Sequence, residues 1–284
     1  MSFKSILVPL SGGSEDWRCL DAAYRVAHAH GAHVTGLFVE ADPQTVMATM
    51  SATGFYFSDT YLAALEQANG ERRIAPQKTF EAWRTAHEIP AADAMARPQD
   101  VTAELLVASK PTAYSDYALV ADLVVCPIYP EGGEGETTMF ADALFDAGRP
   151  VLAVPSEDAL TELGAASAAI AWDGSREAAR ALASALPLLR RARELVILHV
   201  GPVRKGPALA DVQTFLSRHL LDARVVEVPD RHDTAGALLD AARGQGARLL
   251  VLGGYSHSRA REFVFGGVTR DMLAHATIPL FFAH

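Results

Sequence analysis

Two tandem doubly wound α/β domains are what this sequence predicts, on three observations. One series of apolar runs occurs twice, in the same order, within 284 residues. The runs are continuous rather than alternating, as parallel strands covered on both faces are. Stretches with helical spacing separate them. Such alternation, closed by right-handed crossovers, builds parallel sheets whose ligands lie beyond the carboxyl ends of the strands, where strand order reverses.

The first copy opens with Ile6-Leu7-Val8-Pro9-Leu10, and the turn Ser11-Gly12-Gly13-Ser14 then leads into a helical stretch. The second opens with Ala168-Ala169-Ile170-Ala171-Trp172, followed by Asp173-Gly174-Ser175. Each small polar turn supplies a helix N-cap. A second run follows in each copy, Val34–Val39 and Leu195–Val200, and the separation differs only by the extra glycine of the first turn. Third runs match at Leu123–Pro127 and Leu249–Gly253, and fourth runs at Pro150–Val154 and Pro279–Ala283. Between them, residues 175–189 place Ala178, Leu182, Ala185, Leu186 and Leu189 on one stripe, with Pro187 a candidate kink. Residues 234–243 do the same on a smaller scale, and Gly244 and Gly246 end that helix.

These matches set the domains at 1–156 and 166–284, joined by a polar linker over 156–165. The first copy carries a surplus between its second and third runs, mainly over 41–78, with Phe55, Tyr56, Phe57 and Tyr61. Those aromatics either line a pocket or cover the sheet or the other copy.

Composition excludes several classes. A formal charge of −9 opposes a nucleic-acid surface, which needs a basic face. Apolar runs such as Val151–Val154 are too short for a bilayer, and no signal-peptide pattern precedes the first strand, so the expected location is cytoplasmic without membrane contact. Cys19 and Cys126 offer neither a zinc pattern nor a disulfide framework. His28, His30 and His33 are read as helix-end residues, since His28 and His30 point to different sides of a helix. No metal ligand set, P-loop, nucleophile elbow or paired carboxylate stands out, and no catalytic residue is assigned.

The chemistry sits in 249–284. There a strand ends at Gly253, an arginine-bearing loop follows, and Gly266-Gly267 opens a helix at Val268. Amides left uncovered at a helix start, together with the helix dipole, make an anion site. Gly253, two residues, Ser256, nine residues, Gly266 and Gly267 resemble the universal stress protein signature, which reads glycine, two residues, glycine, nine residues, glycine, then serine or threonine. The resemblance covers both copies. It implies the adenine nucleotide alpha hydrolase-like fold, with five parallel strands per copy. It also implies a stress-response protein that binds ATP or another adenine nucleotide, with Mg²⁺ as the companion of a triphosphate.

By position, the resemblance places Asp173 as acceptor for the adenine amino group and Val200 as the backbone contact to the base. Leu252 and Gly253 lie toward the ribose, and Gly266, Gly267 and Val268 present amides to phosphate. His257 and Arg259 add positive charge beside Ser256, although Arg259 and Arg261 can instead pair with Glu262 or Asp271. Ser256 departs from glycine, costing on the order of 1 kcal/mol if its φ is positive. The first copy has Ser11 for the carboxylate, Pro127 for the first loop glycine, Thr137 and Thr138 opposite Gly266 and Gly267, and an acidic loop over 131–136. The site is therefore expected to be degenerate in the first copy and retained in the second. In the family the terminal strands pair across a dimer, which implies that Val151–Val154 meets Leu280–Ala283 in an intramolecular pseudo-dimer, with homodimerisation through another surface left open. Two alternatives stand beside nucleotide switching: a non-binding interaction module, and a binder or slow hydrolase of another phosphorylated molecule.

Overall fold

The computed structural model describes residues 2–51, 59–90, 100–110, 112–128, 139–155, 167–201, 206–230, 233–254 and 267–284. In the first copy, β1 (Ser5–Leu10), α1 (Glu15–His30) and β2 (His33–Val39) are followed by α2 (Pro43–Ser51) and α3 (Asp59–Ala86). Then come β3 (Thr102–Ala108), α4 (Ala113–Ala118), β4 (Leu123–Pro127), a π-helical turn over Asp142–Asp146, and β5 (Val151–Val154). The second copy comprises β6 (Ser167–Ala171), α5 (Arg176–Leu189), β7 (Leu195–Val200), α6 (Leu209–Arg218) and β8 (Ala223–Val228). It closes with α7 (Thr234–Gly244), β9 (Ala247–Gly253), α8 (Gly267–His275) and β10 (Leu280–Ala283).

The two five-stranded sheets are halves of one ten-stranded sheet, ordered β3-β2-β1-β4-β5-β10-β9-β6-β7-β8. Neighbours within each copy run parallel. The join is antiparallel, with Leu280 opposite Ala153, Phe281 opposite Leu152 and Phe282 opposite Val151. An apolar terminal strand left open is a template for association, and here each copy covers the other's. Phe140 of the first copy packs edge-on against Phe282 of the second, with centroids 5.2 Å apart.

Burial on both faces explains the unbroken apolar runs. Ile6, Val8, Leu152, Ile170, Val251 and Phe281 fill one core layer, while Leu7, Val124, Val151, Ala169, Leu250 and Phe282 fill the other. Both layers run through both copies. The outermost strands, β3 and β8, did not show as apolar runs because each carries charge: Glu104 on β3, and the exposed Arg224 and Glu227 on β8. α5 passes through Pro187 as one element. Ser175 caps it, its hydroxyl accepting from the Ala178 amide at 3.0 Å.

The surplus of the first copy forms α2 and α3. α3 docks on the end of β2: the Asn69 carboxamide donates to the Ala41 carbonyl at 2.9 Å and accepts from its amide at 3.3 Å. Arg73 holds Glu40 through two bonds, at 2.7 and 2.8 Å. Phe80 fills the space above Gly36, and Trp83 is fully enclosed. Phe55, Tyr56 and Phe57 lie outside the described residues, and Tyr61 is exposed. Among the described residues, no helix is long and apolar enough to cross a membrane.

Candidate functional site

The second copy gathers its candidate residues at the carboxyl edge of β6, β7 and β9. Asp173 follows β6 and is exposed; its Oδ1 accepts from the Ser175 amide at 2.9 Å. The helix cap is therefore Ser175, and Asp173 shapes the turn before it. Val200 ends β7, half-buried, beside His199, whose Nδ1 lies 2.9 Å from the Trp172 carbonyl oxygen. Leu252 is buried in the layer beneath.

Gly253 ends β9 against the first turn of α5. A Cβ there would lie 2.5 Å from the Ala178 nitrogen and 2.6 Å from the Glu177 carbonyl carbon, so backbone packing itself demands glycine. Gly267 and Val268 open α8, both exposed, and a Cβ on Gly267 would meet no atom within 4 Å. Among the described residues, nothing crowds the start of α8, the end at which a helix favours an anion. Ser256, His257, Arg259 and Gly266 lie outside the described residues, as do Arg261 and Glu262.

Two residues of this edge carried no signal in the sequence. Glu177 is buried at 6 %, its carboxylate 3.7 Å from Arg176, and it packs against Gly253. An acid in the first turn of a helix is ordinary, so only the fold shows that this one is enclosed. Gly206, with φ of +77°, rests on Gly174, and a Cβ there would lie 2.6 Å from the Gly174 oxygen. Gly206 thereby lies directly against the turn that holds Asp173.

The same edge of the first copy is arranged differently. Asp16 occupies the helix position that Glu177 occupies in the second copy, and its carboxylate turns back to the preceding turn. It accepts from the Ser11 amide at 2.9 Å, the Ser11 hydroxyl at 3.2 Å and the Gly12 amide at 2.8 Å. Burial raises its carboxyl above the ordinary value, against the pull of those bonds. α3 closes over the turn, with Pro76 and Ala75 against Gly12. Tyr114 lies nearby: burial pushes its hydroxyl up to about 12, the charges of Asp16 and Asp142 add to the push, and the Val39 amide and Arg72 oppose it. In the second copy, no described side chain other than Ser175 and Asp173 itself accepts from the amides of residues 173–178.

The remaining candidates have local partners. His33 Nδ1 lies 2.7 Å from the Thr102 hydroxyl, and its Nε2 lies 3.5 Å from Glu104. His30 packs edge-on against Phe3. Cys19 and Cys126 are free, buried thiols. Among the described residues, no group of three or more His, Cys, Asp or Glu side chains is placed to hold a metal ion.

A duplicated doubly wound α/β chain, joined through its terminal strands and carrying glycines at its strand-end turns, is the class that fold and site define. Neither a protein-family model nor a curated protein sequence matches this chain. Solved structures do. A universal stress protein from Archaeoglobus fulgidus DSM 4304 superposes with a TM-score of 0.69 over 99% of this chain and 96% of its own, at 15% identity. A functionally unknown protein from Pseudomonas aeruginosa PAO1 gives 0.57 over 98% of this chain and 92% of its own, also at 15% identity. The cytoplasmic domain of a prokaryotic cation chloride cotransporter gives 0.51 over 99% of this chain and 95% of its own, at 11% identity. The fold is that of a two-domain universal stress protein, the adenine nucleotide alpha hydrolase-like fold. Because a transporter domain shares it, fold does not choose the ligand, and the site must.

Proposed function

We propose that this chain is a tandem universal stress protein that binds one adenine nucleotide, ATP or a relative, through its second copy and uses it as a switch on partner contacts. The observation that carries the reading is the contrast between the two turns after β1 and β6. In the first copy, the Asp16 carboxylate occupies the amides of Ser11 and Gly12. In the second, Glu177 leaves the equivalent turn alone and Asp173 is exposed. An exposed carboxylate suits an exocyclic amine. The exposed Gly267 and Val268 at the start of α8 suit a phosphate, with Mg²⁺ accompanying a triphosphate. The acidic first copy then serves as a scaffold without a ligand of its own.

The test is release of any ligand from gently purified protein, followed by calorimetric titration with ATP. Wild type is expected to bind. Asp173→Ala loses a hydrogen bond to a charged acceptor and weakens binding about 10- to 100-fold, from roughly 1.5–3 kcal/mol. Ser256→Gly relieves the departure from the signature and tightens it. If neither wild type nor Ser256→Gly binds, the nucleotide reading fails, and an interaction module that keeps the fold without the ligand takes its place. Phosphate release on long incubation, abolished by Arg259→Ala, would mark a slow hydrolase instead.

A further inference from the structure

β9 leaves the sheet through two successive glycines that face opposite ways. The missing side chain of Gly253 makes room for α5 of its own copy. That of Gly254 makes room for the first copy: a Cβ there would lie 2.9 Å from Leu144 Cδ2 and 3.9 Å from Leu144 Cγ. Leu144 lies in the Asp142–Asp146 turn and is fully buried.

The backbone of Gly254 is held as well. Its amide donates to the Ala283 carbonyl at 2.8 Å, and its carbonyl oxygen lies 2.9 Å from His284 Nδ1. The His284 ring packs edge-on against Phe145, the neighbour of Leu144, at 5.1 Å. Leu144 and Phe145 of one copy therefore bear on Gly254 of the other, directly and through His284.

The duplicated architecture supplies an internal comparison. The counterpart of Gly254 is Ile128, whose amide makes the same bond, to Val154, at 2.8 Å. Ile128 keeps its own side chain in the core at 3 % exposure, and its carbonyl accepts from Arg18 at 3.1 Å. So the copy whose turn amides are already occupied by Asp16 fills this position from within. The copy with an open turn gives the space to its neighbour.

We infer that Leu144 is a positioning residue for the nucleotide site of the second copy: by filling the space beside Gly254 it holds the backbone at the carboxyl end of β9, next to Gly253. The site is then shared, with chemistry from the second copy and a wall from the first. This rests on the nucleotide reading for its function, whereas the contact itself does not.

The experiment compares Leu144→Ala, Leu144→Ile and Leu20→Ala with wild type. Leu20 is fully buried on α1 in the core layer that does not contain Leu144, so its truncation serves as the control for lost stability. Two quantities are read: the Kd for ATP, and the hydrogen-exchange protection of the Gly254 amide without ligand. Leu144→Ala is expected to raise Kd about tenfold and cut Gly254 protection about tenfold. Leu144→Ile restores both to within a factor of about three, and Leu20→Ala lowers the melting temperature while leaving both unchanged. Unchanged Gly254 protection in Leu144→Ala overturns the inference whether or not ATP binds. An unchanged Kd overturns its functional half. If wild type binds no ATP, the nucleotide reading falls and exchange alone judges the contact.

Discussion

Asp16 accepts from the Gly12 amide at 2.8 Å from within the first turn of α1, and the residue is buried while doing so. The folded protein holds a proton on this group more tightly than the unfolded chain, because burial outweighs the donors around it. Its contribution to stability is therefore complete below the ordinary value of 3.8 and declines as pH rises through the raised folded value. Comparing urea midpoints of wild type and Asp16→Asn from about pH 4 to 7, the difference in favour of wild type is expected to shrink as pH rises. A difference that grows with pH contradicts this account.

Gly253 and Gly267 belong to one loop signature but have opposite tolerances. Ala at 253 drives a methyl into backbone atoms of α5 and is expected to cost roughly 3 kcal/mol, the upper end for overpacking. Ala at 267 meets open space at a helix start and is expected to leave stability unchanged or raise it by up to about 1 kcal/mol. Denaturant titration of the two variants decides; equal effects would contradict the packing described.

Restoring the signature hydroxyl by Gly267→Ser adds one hydrogen-bond donor where phosphate is proposed. A net gain of about 0.5–1.5 kcal/mol corresponds to roughly 2- to 10-fold tighter ATP binding. Calorimetry that finds weaker binding places the phosphate elsewhere.

Burial pushes the Cys126 thiol up to about 12 and the Cys19 thiol well above its ordinary value, with the nearby Cys126 adding to the latter. Because the thiolate is the reacting species, a disulfide reagent at about pH 8 should leave the native protein unmodified. Both thiols should react once urea unfolds the chain. Rapid labelling of the native protein would show that the core around α1 and β4 opens.

Residues 166–284 expressed alone would carry β10 as an open apolar edge. The antiparallel pairing of Leu280 with Ala153 and Phe282 with Val151 shows the geometry a second β10 can reproduce. The fragment is expected to elute as a dimer, and Phe281→Asp to abolish that dimer. A stable monomer with native circular dichroism would show that the edge tolerates water.

The repeat, the strand-end turns and the pairing of β5 with β10 were all legible, the first two because two-sided burial leaves unbroken apolar runs and the third through family resemblance. β3 and β8 escaped because an edge strand tolerates Glu104, Arg224 or Glu227. Asp173, Val200 and Gly253 could be placed at strand ends from the apolar runs, whereas the roles expected of them came from the family resemblance. Asp16 could not, since its sequence reads as an ordinary first-turn acid and its role depends on Gly12 and α3. The same limit hid Leu144, whose partner Gly254 is distant in the chain and whose importance lies in a side chain that Gly254 lacks.

Carrying both halves on one chain makes the β5–β10 seam independent of dilution. Partners tethered on one chain face each other at a fixed local concentration, which favours the intramolecular seam. One half is then free to diverge without doubling the change, as it would in a symmetric pair. With the Ser11 and Gly12 amides of one half already held by Asp16, the two strand-end turns of each particle are no longer equivalent.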